Sequence, residues 1–77
     1  MTDKEVLDKI KDLLDKEHNL YAKEGLSIKE RKEAEKIQIE LDQYWDLLRQ
    51  RRALKEFGEN PDKAVLRGTD TVENYEQ

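Results

Sequence analysis

A chain of 77 residues with a net charge of −4 has room for one small domain. Charged residues make up 44% and hydrophobic residues 35%; Leu, Ile, Val and Phe occupy 18 positions, roughly 23%, just above the ~20% below which chains stay disordered. The absence of cysteine excludes a disulfide framework and a thiolate zinc site. No apolar run approaches the ~18 residues of a membrane span, and the opening Met1-Thr2-Asp3-Lys4-Glu5 does not read as a signal peptide. A cytoplasmic protein with a thin core is expected.

The chain is expected to be all-α. Thr2-Asp3-Lys4-Glu5 has the form of a capping box, in which hydroxyl and carboxylate satisfy orphan amides at a helix start. From there Val6, Leu7, Ile10, Leu13, Leu14, Leu20 and Tyr21 recur at spacings of three and four, an apolar stripe about 140° wide. The pattern predicts a helix over 3–24, closed by Gly25 in a left-handed conformation. A second capping box, Ser27-Ile28-Lys29-Glu30, opens the next helix, predicted over 28–57. Its apolar set is Ala34, Ile37, Leu41, Tyr44, Trp45 and Leu48, widened by Leu47 and Leu54. Gly58 and Pro61 end it. So short a connection makes residues 1–58 an antiparallel helical hairpin. Residues 59–77 read as a C-terminal tail with one helical turn at Asn60-Pro61-Asp62; the tail either packs on the hairpin or hangs free.

Two helices bury one seam, but the second helix carries apolar residues on more than one side. Leu47 and Leu54 lie to one side of the Ile37–Leu41–Tyr44–Leu48 line and Trp45 to the other. Leaving such side chains wet forfeits ~1.5–3 kcal/mol each. Pairing two hairpins into a four-helix bundle with twofold symmetry would cover them, as would the tail of the same chain. Tyr44, Trp45, Leu47, Leu48, Arg51, Arg52 and Leu54 are therefore the expected interface of a homodimer, and another protein is the alternative partner.

Several polar residues interrupt the pattern. Glu17 falls in the first helix's apolar stripe, where a carboxylate needs a partner; Lys36 is the nearest across the hairpin. Glu17 and His18 are thus the expected buried polar pair. Arg51 and Arg52 fall on the core side of the second helix, near Asp3 and Glu5 in an antiparallel hairpin. A metal-binding bundle built on Asp15, Glu17 and His18 with Glu33 or Glu40 from the second helix is a further reading. It is weakened because Asp15 projects away from the stripe. The run Arg49-Gln50-Arg51-Arg52-Ala53-Leu54-Lys55 could contact phosphates through Arg49, Arg52 and Lys55, against an acidic whole-chain balance. No nucleophile with an adjacent base, phosphate-binding glycine loop or His-Glu-x-x-His unit is present. No enzyme activity, cofactor, metal or membrane partner is expected.

The segment Leu41-Asp42-Gln43-Tyr44-Trp45-Asp46-Leu47-Leu48-Arg49-Gln50-Arg51-Arg52-Ala53 resembles the signature of a small bacterial family, the domain-of-unknown-function family 2630, common in actinobacteria. The likeness extends to Glu17-His18-x-Leu20, Asn60-Pro61-Asp62 and Val72-Glu73-Asn74-Tyr75, nearly the whole chain. Tyr44 stands where the family often has a small residue, and the chain is richer in lysine than a typical actinobacterial member. The resemblance implies a helical cytoplasmic protein and carries no activity. Tyr75 in the tail is expected to dock beside Trp45 or near the arginines, tying the last segment down.

Overall fold

The computed structural model describes residues 1–68. These form two helices, α1 (Asp3–Tyr21) and α2 (Ile28–Glu56), followed by one 3-10 turn at Pro61–Lys63; there is no strand among the described residues. Both helices start where the capping boxes stand. The Glu5 amide donates to the Thr2 hydroxyl at 3.2 Å and the Thr2 amide to the Glu5 carboxylate at 3.1 Å. Ser27 and Glu30 repeat the exchange at 3.1 and 3.2 Å. Each box satisfies two orphan amides reciprocally.

The helix ends differ from one another. α2 stops in a Schellman arrangement: the Gly58 amide donates to the Lys55 carbonyl and the Glu59 amide to the Leu54 carbonyl. Gly58 has φ 73°, a conformation that only glycine adopts without steric cost. α1 ends three residues earlier than its apolar pattern predicts. Its cap is Ala22 in an ordinary right-handed conformation, and Gly25 has no positive φ. The chain turns over through residues 22–27 and Lys23 reaches across the connection to the Glu30 carboxylate. That cation also holds the Glu30 carboxyl below its ordinary range, ahead of the hydrogen bonds from Ser27.

Arg51 and Lys55 near the end of α2 pair with Asp3 at the start of α1, so the helices are antiparallel. Val6, Ile10 and Leu13 of α1 pack with Ile37, Leu41, Leu47 and Leu48 of α2, and Val6 is wholly buried. Leu20, Tyr44 and Ala64 pack at the edges of this cluster. Ala64 comes from the segment beyond α2, which places the described part of the tail on the hairpin. A molecule measuring 48 × 28 × 14 Å is one helix layer thick.

Candidate functional site

α2 has three longitudinal zones, and residues 38–54 supply all of them. The seam zone is Leu41, Tyr44, Leu48 and Arg51, facing α1. To one side and round the back lie Gln43, Asp46, Leu47, Gln50 and Leu54; to the other side lie Gln38, Trp45, Arg49 and Arg52, by helical geometry of ~100° per residue.

Residues 59–68 run back along the first of these sides as a strap. After Gly58, Asn60 caps the 3-10 turn by accepting from the Asp62 amide at 3.0 Å, with Pro61 at the first position. The Arg51 guanidinium ties this turn to the hairpin. Its Nε donates to Asp3 at 2.5 Å, and its Nη1 donates to the Pro61 carbonyl at 3.2 Å and to Asp62 at 3.0 Å. Only 5% of Arg51 is exposed, and its three acceptors satisfy a cation that burial would otherwise penalise. Further along, Gln50 offers its amide as the hydrogen-bonding partner of an extended backbone. Its Nε2 donates to the Val65 carbonyl at 2.8 Å and its Oε1 accepts from the Val65 amide at 3.3 Å. The same Nε2 donates to Asp46 at 2.8 Å, Arg67 approaches Asp46 at 3.5 Å, and Gln43 donates to the Arg67 carbonyl at 3.1 Å. Gln43, Asp46 and Gln50 are three and four apart, so they line one stripe, and that stripe grips the strap. Beneath it Leu47 is 4% exposed.

The opposite side of α2 carries no such cover among the described residues. Trp45 is 41% exposed, and Arg49 and Arg52 are exposed. With Arg51 level with Asp3, residues of α1 and α2 whose numbers sum to about 54 lie at the same height. Trp45 then falls between Leu7 and Leu14, on the same face of the hairpin. Leu7 and Leu14 are 47% and 44% exposed, and Tyr21 is 62% exposed; the three repeat every seven residues along α1. Further toward the loop Tyr21, Leu26, Arg31, Ala34, Glu35 and Gln38 line a shallow groove of about 420 Å³. A smaller one of about 130 Å³ lies on the other side of the seam, between Lys9, Asp12, Leu13 and Lys16 of α1 and Glu40 and Tyr44 of α2.

Several residues expected at an interface between chains are used within one chain. Leu47, Leu48 and Arg51 are buried in the hairpin and strap, and Tyr44 and Leu54 are half-buried. The strap is the reason: it occupies the side of α2 that the periodicity leaves uncovered. Trp45 and Arg52 remain at the surface. Arg51 meets Asp3 as expected, whereas Arg52 turns outward and makes no ion pair among the described residues. Glu17 is half-buried, in phase with the seam residues of α1, and makes no salt bridge to Lys36 or to any other described residue. His18, expected to be buried beside it, is exposed, because one further residue turns the side chain ~100° away from the seam.

Electrostatics concentrate at the Asp3 end. Hydrogen bonds from Lys55 and then Arg51 hold the Asp3 carboxyl below its ordinary value, and those that Arg51 donates to Asp3 and then Asp62 push its guanidinium up. Lys55, one of the three expected phosphate contacts, is engaged with Asp3; Arg49 lies 3.9 Å from Asp46. No group of three or more potential metal ligands occurs among the described residues, and no described helix is long and apolar enough to cross a membrane. Thr69, Thr71, Val72, Asn74 and Tyr75, and with them the expected docking of Tyr75, lie outside the described residues.

Sequence reasoning gave no role to Gln43, Asp46, Gln50 or Arg67, and named Asp62 only as part of a turn. The available signal was the 43–46–50 spacing of polar residues on the side that also carries Leu47.

Comparison with known proteins places these features in a family. The pattern of the family described as "Protein of unknown function (DUF2630)" matches residues 2–77. The uncharacterized proteins Rv0898c of Mycobacterium tuberculosis and Mb0922c of Mycobacterium bovis are each 49% identical over 78 residues, covering 96% of this chain and 90% of the relative. No solved structure matches the chain. With the segment around Trp45 partitioned into core, clasp and exposed face, and the match running from Thr2 to the last residue, the chain belongs to the DUF2630 family.

Proposed function

We propose that this protein is a non-enzymatic interaction module that self-associates as a homodimer through the face bearing Leu7, Leu14 and Trp45. The observation that carries the reading is the asymmetry of α2: a strap covers one side, and the other keeps a tryptophan and two α1 leucines 41–47% exposed. Contiguous apolar surface of this kind, rimmed by charge, marks association sites on small proteins. A face of the 48 × 28 Å layer exceeds the ~800 Å² per partner of a standard interface. Covering it in a second hairpin gives the four-helix bundle that a single seam cannot provide.

The cytoplasm is the proposed compartment. The absence of a paired nucleophile and base in the sequence, and the shallowness of both grooves, support a binding role over catalysis. A phosphate-binding role for the basic segment is the weaker reading, since Lys55 is engaged with Asp3 and Arg51 is enclosed by carboxylates. Sedimentation equilibrium at micromolar concentration tests the proposal. A particle of twice the 9.2 kDa chain mass is expected, and a folded monomer across that range overturns it.

A further inference from the structure

The arrangement of the two copies follows from where charge and apolar bulk sit on the bare face, and this inference rests on the homodimer reading above. Two layers can pack face to face about a twofold axis lying in their interface in two ways. With the axis across the helices, α1 lies on α1 and α2 on α2. With the axis along the helices, each α1 lies on the α2 of the second copy. We propose the second arrangement, in which Trp45 of each copy inserts between Leu7 and Leu14 of the other and Lys11 of each meets Asp42 of the other.

The register supports it. Trp45 is level with the interval between Leu7 and Leu14, so rotation about an axis along the helices preserves height and brings each tryptophan over that interval. Leu7 and Leu14 are spaced two turns apart, ~10.5 Å, a notch of the width an indole fills. Lys11 and Asp42 are also level, and both point to the outer rim of this face by helical geometry. Neither makes a salt bridge among the described residues; Asp42 accepts only from the Gln38 amide at 3.3 Å. The rotation sets them side by side twice per dimer. Rotation about an axis across the helices through the middle of the same apolar patch instead brings Lys11 against Lys11 of the second copy, a like-charge contact.

The absence of cysteine makes disulfide trapping direct. The double variant Lys11→Cys with Asp42→Cys is expected to form covalent dimers under mild oxidation, and Lys11→Cys alone is not. Separately, Lys11→Glu is expected to weaken association about tenfold through like-charge contacts at two equivalent sites, and adding Asp42→Lys to restore it to within about threefold. Trapping by Lys11→Cys alone, or failure of the charge exchange to restore association, overturns this arrangement while leaving the homodimer intact. A wild-type chain that sediments as a monomer removes the reading beneath it instead.

Discussion

The two sides of α2 are built from one sequence segment and have opposite fates. On the clasped side, Leu47 is buried, Ala64 packs against its cluster, and Val65 and Arg67 are held by Gln43, Asp46 and Gln50. On the bare side, Trp45, Arg49 and Arg52 face outward. The difference lies in the kind of residue between the apolar ones. Gln and Asp side chains offer short, directional acceptors and donors that bind a passing backbone, which has no side-chain pattern of its own to satisfy. Arginines on the bare side are long side chains that extend into solvent. Among the described residues, a thin two-helix layer therefore closes one flank with its own chain and leaves the other exposed.

Substitution on each side separates the two roles. Leu47→Ala removes buried methyl groups beneath the strap and is expected to cost about 2–5 kcal/mol of unfolding free energy, depending on how far the cavity collapses. Trp45→Ala removes more atoms from a half-exposed site. It is expected to change the stability of the single chain by less than about 1 kcal/mol while abolishing association. Chemical denaturation at high dilution, followed by sedimentation of the same two variants, checks both halves. Equal destabilisation by the two would mean that the sides are not distinct.

The clasp itself is tested by Gln50→Ala. This substitution removes both hydrogen bonds to the Val65 backbone and one to Asp46. At about 0.5–1.5 kcal/mol per bond, a local loss of about 1–2 kcal/mol is expected, read as a roughly tenfold faster exchange of the Val65 amide. Amides in the middle of α2, such as that of Leu41, are expected to keep their protection, because the seam does not depend on the strap. Uniform loss throughout the helix would show instead that strap and hairpin form one cooperative unit.

Much of this was legible in the sequence, and for definite reasons. Capping boxes at Thr2 and Ser27, the Gly58 stop and the Asn60-Pro61 turn are local devices whose chemistry is complete within four or five residues. The Arg51–Asp3 contact followed from the antiparallel hairpin alone. The seam was legible because apolar spacing of three and four is unambiguous in a long helix. What periodicity could not provide was the identity of the cover over Leu47. An extended strap binds through its backbone, so residues 64–68 carry little signal, and Gln43, Asp46 and Gln50 look like ordinary solvated residues in a chain that is 44% charged. His18 and Arg52 were misplaced for a related reason: a residue adjacent to a seam position lies ~100° away from it, and only the partner helix determines which neighbour turns inward.

The smallest expected effect concerns the joint between hairpin and strap, where Arg51 bridges Asp3 and Asp62. Asp3 is held below its ordinary value of 3.8 by Lys55 first and Arg51 second, so its carboxylate is more strongly favoured in the folded chain than in the unfolded one. The sign of the linkage follows: this contribution to stability is fully present above the unfolded value and is lost as pH falls through the lower, folded one. Asp3→Asn removes it without altering shape. The variant is therefore expected to melt below the wild type at neutral pH, and the two curves to converge as the pH drops below 3.8. Residual separation in strong acid would assign the difference to geometry at the start of α1 instead of charge. Because Lys55 remains on Asp3 when Arg51 is replaced, Arg51→Met should shrink this pH-dependent difference without eliminating it, and should loosen the Pro61 turn as well. Combining the two substitutions distinguishes the charge that joins α1 to α2 from the hydrogen bonds that start the strap.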